Sequence, residues 1–158
     1  MKIAVCVART IRAPASAVFA LALDPARFPA TFGGYGPIPG LRRIMPQGSA
    51  AVGSTREVES SDGSVLTERI TALEAPRRHA YTLSGLRPPL AWLASSGEAD
   101  WTFADLVDRT QVTWRYTFAL TGVPAWPLAW PLLHICMRGA MRRCLAAMAR
   151  ALESAEVV

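Results

Sequence analysis

Five side chains of this sequence have the chemistry and the setting for acid–base work. His79 and Tyr81 lie in one strand-like segment, and Glu57, Glu68 and Arg115 lie in others. A carboxylate or imidazole that is removed from water changes its pKa and can exchange a proton with a bound molecule. Alternation with its aromatic neighbours places Arg115 on a solvent face, whereas bulges in a curved sheet leave both orientations of Glu57 and Glu68 open.

Motifs for metal binding and for nucleophilic catalysis are missing from the sequence. His79 and His134 are the only histidines and lie far apart, and no HExxH, CxxC or GxSxG occurs. Cys6, Cys136 and Cys144 are odd in number and have no paired spacing, which favours buried free thiols in a reducing cytoplasm. We therefore expect no metal and no cofactor, and we assign no catalytic residue.

Bulky apolar side chains form the strongest pattern in the sequence. Aromatic residues occupy alternate positions of two adjacent strand-like segments, and methionines and leucines recur three or four residues apart in the last segment. Surfaces of this kind either pack together as a core or leave a gap that binds an apolar molecule. The residues predicted to line such a cavity are Tyr81, Trp101, Phe103, Trp114, Tyr116, Phe118, His134, Met137, Met141 and Met148.

The periodicity of the chain predicts an antiparallel sheet in its middle. In residues 110–120, apolar and polar side chains alternate, which is typical of a strand with one buried face. Turn sequences separate the segments, and Ser61-Asp62-Gly63 is the clearest hairpin turn. The predicted strands are residues 3–11, 41–45, 52–60, 65–73, 78–83, 98–107 and 110–120.

Helices are predicted at both ends of the chain. Pro14 suits the first turn of a helix over about 14–23, and Asp24 can cap a second short helix with Pro25 at its first position. After Pro131, apolar residues recur at three and four residues, which predicts an amphipathic helix of about 25 residues. This last helix is the only element long enough to cover the apolar face of the sheet.

The composition is that of a single globular domain over residues 1–158. The 158 residues are 51% hydrophobic and 18% charged, which excludes a disordered chain and a coiled coil. Sixteen arginines, one lysine and 27 alanines are typical of GC-rich bacterial coding. The net charge of +5 is scattered, and the aromatic residues lie on a buried face rather than an exposed stacking platform, so we expect no nucleic-acid partner.

One uncharged stretch bears on membrane binding. Residues 117–137 carry no formal charge and are long enough to cross a bilayer as a helix. Pro124, Pro127 and Pro131 interrupt them, at a cost of about 3 kcal/mol each inside a helix. Trp126 and Trp130 suit the boundary between water and lipid. We expect no transmembrane helix, and we keep open a weak membrane-surface contact through these two tryptophans.

Four passages, which follow one another along nearly the whole chain, resemble a known family. They are Arg12-Ala13-Pro14-x-x-x-Val18-Phe19 with Asp24-Pro25; Val52-Gly53 leading to Asp62-Gly63; Glu68-x-Ile70 leading to Glu74-x-Pro76-x-Arg78-x-x-Tyr81; and Thr110-x-Val112-x-Trp114-x-Tyr116-x-Phe118. The ordered set resembles the SRPBCC or START-like superfamily, in its polyketide cyclase/dehydrase and lipid transport branch.

The resemblance implies an α+β helix-grip fold. In that fold a curved, seven-stranded antiparallel sheet surrounds a long C-terminal helix, and two short helices follow the first strand. It also implies a cavity between sheet and helix that binds a hydrophobic small molecule, such as a lipid or polyketide, in a carrier or sensor acting as monomer or homodimer. The alternative is an aromatase/cyclase-like enzyme acting on a polyketide-type substrate, since fold alone does not decide function.

Overall fold

The computed structural model describes residues 1–155, which form one sheet and a set of helices packed on one of its faces. All neighbouring strands are antiparallel, in the order β1-β7-β6-β5-β4-β3-β2. The strands are β1 (Lys2–Ile11), β2 (Leu41–Gln47), β3 (Thr55–Ser60), β4 (Val65–Glu74), β5 (Arg78–Ser84), β6 (Ala94–Leu106) and β7 (Arg109–Leu120). Four helices, α1 (Ala15–Leu23), α2 (Leu90–Leu93), α3 (Trp126–Pro131) and α4 (Arg138–Ala155), complete the fold.

The strands follow the alternation of the sequence. Along β7, every even-numbered residue from Thr110 to Leu120 is buried, while its odd-numbered neighbours are exposed or half-buried. β1 forms one edge of the sheet and pairs with β7 over its whole length, from Lys2 opposite Ala119 to Ile11 opposite Thr110. Every strand therefore presents one apolar face to the helices, which is the layered arrangement that an antiparallel sheet requires.

The C-terminal helix begins earlier than the sequence predicted and changes its winding. Helical structure starts at Trp126, five residues before Pro131, and the six residues Leu132–Met137 form a π-helical segment that leads into α4. Pro131 lies inside the helix and has no N–H to bond to the preceding turn, and the wider winding follows directly after it. α4 packs along β1 and against α1.

Three strand boundaries differ from the predicted ones by two residues or more. β6 begins at Ala94 instead of residue 98, and β3 begins at Thr55 instead of residue 52. β2 continues through Pro46, which an edge strand tolerates because the missing N–H does not interrupt a central ladder. The second short helix is a single 3₁₀ turn, Phe28–Thr31, preceded by Asp24, whose Oδ1 accepts the N–H groups of Ala26 and Arg27. The predicted helix-grip fold is otherwise confirmed.

Candidate functional site: a cavity between sheet and helix

A half-open cavity lies between the inner face of the sheet and the start of the C-terminal helical segment. Its empty volume is about 950 Å³, counted out to the solvent at its mouth. Side chains of β3, β4, β5 and β7 form its floor. Three stretches of chain form its walls: the loop after the 3₁₀ turn, the loop before α2, and the π-helical segment. Apolar lining residues include Phe32, Ile38, Val58, Leu66, Leu83, Leu86, Leu90, Trp114, Phe118, Leu132 and Met137.

The loop that forms one wall is held against α4 by an aromatic contact. The ring of Tyr35 lies against Gly139, where an added Cβ would come within 3.1 to 3.2 Å of ring carbons. The guanidinium of Arg143 lies 4.5 Å from the centre of the same ring. The loop also closes on itself, because Tyr35 and Ile38 exchange two backbone hydrogen bonds. These contacts fix a wall whose cavity side is apolar.

Side-chain size along β6 decides where the cavity lies. The inner face of this strand carries Gly97, Ala99, Trp101 and Phe103 in that order. The two large residues fill the space below α1 and the 3₁₀ turn, where Phe19 meets Phe103 edge to face. Over the two small residues the side chains of β5 and β7 meet, Leu83 and Phe118 over Gly97 and Tyr81 and Tyr116 over Ala99, and these four side chains line the cavity.

Two tyrosines meet across the small residue Ala99. Ala99 pairs with Tyr81 on β5 and with Tyr116 on β7. The two phenolic oxygens lie 3.1 Å apart, and their rings cross at 81°. Both side chains line the cavity. Burial raises the pKa of Tyr81 and of Tyr116 well above the usual value, so both hydroxyls stay protonated and act as hydrogen-bond donors.

A buried ion pair adjoins the tyrosines. Arg56 Nε donates to Glu68 Oε2 at 2.6 Å, and both side chains are more than nine-tenths buried. Burial disfavours the charged guanidinium, but Glu68 outweighs this effect and raises the pKa of Arg56. Burial raises the pKa of Glu68, and Arg56 counteracts part of that rise. Arg56 also lies 5.3 Å from the centre of the Tyr81 ring.

Arg56 is a charged residue beside the cavity that the sequence analysis did not consider. Counting outwards from the three-residue turn Ser61-Asp62-Gly63 places Arg56 directly opposite Glu68 across the hairpin, as observed. The opposite charges at facing positions of the predicted hairpin therefore could have revealed this ion pair. The same pairing settles the orientation of the two glutamates: Glu68 faces the interior, and Glu57 lies on the outer face with the exposed Arg115.

His79 is buried beside this group without a hydrogen bond. Its side chain is 1% exposed, and within residues 1–155 neither ring nitrogen has a partner. The imidazole lies 5.0 Å from the Tyr81 ring, centre to centre. Burial, assisted by the positive charge of Arg56, lowers the pKa of His79 to about 3. The imidazole is therefore neutral at physiological pH, and it is not among the residues that line the cavity.

The ten residues predicted to line a cavity divide into three groups. Five lie on its wall: Tyr81, Trp114, Tyr116, Phe118 and Met137. Four lie in the packed core, namely Trp101, Phe103, Met141 and Met148. They are buried because the same inner surface continues past the cavity towards α1 and α4. His134 is half-buried and packs on Trp130 at 4.7 Å between ring centres.

No metal-binding group is evident in the described part of the chain. Among residues 1–155, no three His, Cys, Asp or Glu side chains lie close enough together to hold an ion. The three cysteines are free thiols. Cys144 is buried against the hydroxyl of Thr31 at 3.5 Å, and burial raises its pKa to about 12. Its thiol therefore stays protonated and packs as an apolar side chain.

Solved structures share this fold at low sequence identity. The Zhui aromatase/cyclase from Streptomyces sp. R1128 superposes with a TM-score of 0.75 at 15% identity, over 97% of this chain and 94% of that one. A norcoclaurine synthase point mutant from Thalictrum flavum gives 0.73 at 10% identity, over 99% and 97%. Protein MLL2253 from Mesorhizobium loti gives 0.72 at 14% identity, over 96% and 98%.

Sequence comparison gives the family. No curated protein sequence matches this chain. The family described as polyketide cyclase / dehydrase and lipid transport matches residues 2–153, which include every strand and every residue of the cavity. Over that whole length, the chain is a member of the polyketide cyclase / dehydrase and lipid transport family.

Proposed function

We propose that this protein binds a hydrophobic small molecule in the cavity and acts as its carrier or sensor. The observation that carries the proposal is the contrast within the cavity: a largely apolar wall surrounds one compact polar site, the Tyr81–Tyr116 pair with Glu68 beside it. A pocket of this kind gains affinity from apolar burial and orientation from a few placed polar groups.

The tyrosine pair points to the chemistry of the ligand. Each hydroxyl has one proton to donate, and the contact at 3.1 Å uses one of the two. The other proton remains available to an acceptor in the cavity. The preferred ligand is therefore an apolar molecule with a carbonyl or hydroxyl oxygen at its leading end, such as a lipid or a polyketide.

Native mass spectrometry of the gently purified protein tests the proposal. We expect an adduct of one apolar molecule with the wild type. We also expect that the double variant Tyr81→Phe/Tyr116→Phe, which removes both donors while keeping the rings, lowers the occupancy without changing the fold. A matched control is Tyr35→Phe, because Tyr35 lies outside the cavity lining. Absence of any adduct, together with no uptake of added fluorescent fatty acid, would refute the carrier proposal.

A second function has one observation in its favour. Two protonated phenols and a buried carboxylate border the same apolar space, and such groups can polarise a ketone and move a proton during an intramolecular aldol condensation. This would make the protein an aromatase/cyclase-like enzyme for a polyketide-type substrate. His134 has no part in this scheme because it is not a cavity residue.

Turnover distinguishes the enzyme from the carrier. When a linear poly-β-ketone is incubated with the protein, an enzyme forms the cyclised, dehydrated product faster than it forms in a protein-free control, and a carrier does not raise that rate. If cyclisation occurs, Tyr81→Phe lowers the rate while Tyr35→Phe does not. If Tyr81→Phe and Tyr116→Phe both cyclise the substrate at the wild-type rate, the tyrosine pair has no part in the mechanism.

A further inference from the structure

We propose that the rim of the cavity docks on an anionic membrane surface through an exposed apolar face. This face, called the rim face, consists of Trp92 on α2, Trp126, Leu128 and Trp130 on α3, and Ile135 on the π-helical segment. All five side chains are exposed, Trp92 at 71% and Leu128 at 68%. Grouped exposed apolar side chains of this size mark interaction sites rather than ordinary surface.

The two segments of the rim face are joined in the structure. α2 and α3 pack against each other. Thr121, at the end of β7, donates its hydroxyl to the carbonyl of Trp92 at 2.9 Å and its N–H to the carbonyl of Leu93 at 3.0 Å. These bonds fix α2 beside the chain that leads into α3, so the tryptophans of both helices belong to one surface.

The rim face continues into the cavity. Leu90 lies in the same helical turn as Trp92 and lines the cavity, as do the preceding Pro88 and Pro89. On the other segment, Leu132 lines the cavity two residues after Trp130. A surface that covers the rim face therefore also covers the entrance used by a ligand.

The charge of these segments favours an anionic bilayer as the partner. The chain around the rim face, residues 85–97 and 120–143, contains no aspartate or glutamate and carries four arginines, Arg87, Arg138, Arg142 and Arg143. Arg87 borders the entrance, and Arg138 follows Ile135 by three residues. Asp62, across the entrance on the hairpin between β3 and β4, is the carboxylate at this opening. Basic residues near an anionic membrane contribute about 1 kcal/mol each.

The residue types favour a lipid surface over a protein surface. Tryptophan is enriched at the boundary between water and lipid, where an amphipathic ring suits both phases. No helix in residues 1–155 is long and apolar enough to cross a membrane. The short helices therefore have the dimensions for lying in the interface, with apolar side chains inserted below the headgroups.

Vesicle sedimentation tests the docking proposal independently of any cavity ligand. We expect the wild type to sediment with vesicles of phosphatidylcholine and phosphatidylglycerol in equal parts, less with phosphatidylcholine alone, and less again at high salt. Trp92→Ser combined with Leu128→Ser should lower the partition coefficient by at least about tenfold, because two exposed apolar anchors are lost. Val52→Ser combined with Val107→Ser is the matched control, since these exposed residues lie on distant loops.

Three outcomes would overturn the docking proposal. The first is a wild type that sediments with neither vesicle, and the second is equal binding to both vesicle types. The third is a control variant that loses as much binding as the rim variant. If the wild type does not bind vesicles but self-associates, and the rim variant does not self-associate, the rim face joins two copies of the chain instead. Urea midpoints equal to that of the wild type show that both variants are folded.

Discussion

The hydroxyl of Tyr81 on β5 lies 3.1 Å from that of Tyr116 on β7, although β6 runs between the two strands. The contact exists because Ala99, the β6 residue paired with both, has a side chain of one carbon. Two residues earlier in β6, Gly97 lies between Leu83 and Phe118 in the same way, and an added Cβ would come within 2.9 Å of the Phe118 ring. The small residues of β6 thus allow the cavity-lining side chains of β5 and β7 to meet across the strand.

Two methionines on one helical face should respond differently to truncation. Met141 is fully buried in the core, whereas Met137, one turn earlier, borders the cavity. Met141→Ala should lower the free energy of unfolding by about 2–5 kcal/mol and leave fatty-acid binding unchanged. Met137→Ala should cost less, because the site already adjoins empty space, and should change the affinity. Urea denaturation measures the stability of each variant, and fluorescence titration measures its affinity for the fatty acid. Equal stability losses with equal affinities would contradict the placement of Met141 in the core and Met137 at the cavity.

Removing one partner of the buried ion pair should lower the free energy of unfolding substantially. Glu68→Leu leaves the Arg56 guanidinium buried without its carboxylate, and we expect a loss of about 3–5 kcal/mol in urea denaturation. Adding Arg56→Met to this variant should recover part of the loss, since no uncompensated charge remains. Arg78 and Asp100 form a half-exposed pair with two contacts of 2.9 and 3.1 Å. The control Asp100→Asn should cost about 0–1 kcal/mol.

A single mutant that is no less stable than the control, or a double mutant less stable than Glu68→Leu, would show that the ion pair does not behave as a buried unit. The same variants also bear on binding, because Glu68 lines the cavity and Arg56 lies behind it against Tyr81.

His79 should make stability depend on pH in the acid range. Its pKa is lowered to about 3 in the folded protein, against about 6.5 for an unfolded chain. Between these values only the unfolded state binds the proton, so the stabilising contribution is full above about pH 6.5 and falls by about 1.4 kcal/mol per pH unit below it. Urea denaturation between pH 7 and pH 4.5 measures this slope.

His79→Phe and His79→Gln both remove the titrating group, one with an apolar ring and one with a polar chain. Each should lose less stability than the wild type over the same pH interval. A wild-type slope that persists unchanged in both variants would assign the pH dependence to other groups.

The succession of strands along the chain and the covering helix were accessible from the sequence because they rest on periodicity. The alternation in β7 and the spacing in α4 are local patterns that tertiary structure leaves intact. The boundary between core and cavity was not accessible in the same way. Trp101 and Trp114 have the same pattern, and their rings stack at 4.0 Å between centres, yet only Trp114 lines the cavity. That difference depends on which elements lie above each ring.

The small side chains on β6 were the missing clue. Gly97 and Ala99 occupy inner positions of a strand whose other inner positions hold large aromatic residues. The prediction of cavity residues considered only the large side chains and therefore overlooked these two positions. The start of the helix was also missed, because prolines in residues 124–131 were interpreted as breaks. Pro127 instead lies in the first turn of α3, where its missing N–H costs no helical hydrogen bond.

Binding of a fluorescent fatty acid by wild type, Ala99→Leu and Ala104→Leu tests the central claim most directly. Ala99→Leu adds bulk between the tyrosines, whereas Ala104 lies exposed on the outer face of the same strand. We expect one molecule of cis-parinaric acid bound per wild-type chain, at least about tenfold weaker binding by Ala99→Leu, equivalent to about 1.4 kcal/mol, and unchanged binding by Ala104→Leu. Equal affinities of all three folded proteins, or no binding by the wild type, would contradict a ligand site above Ala99.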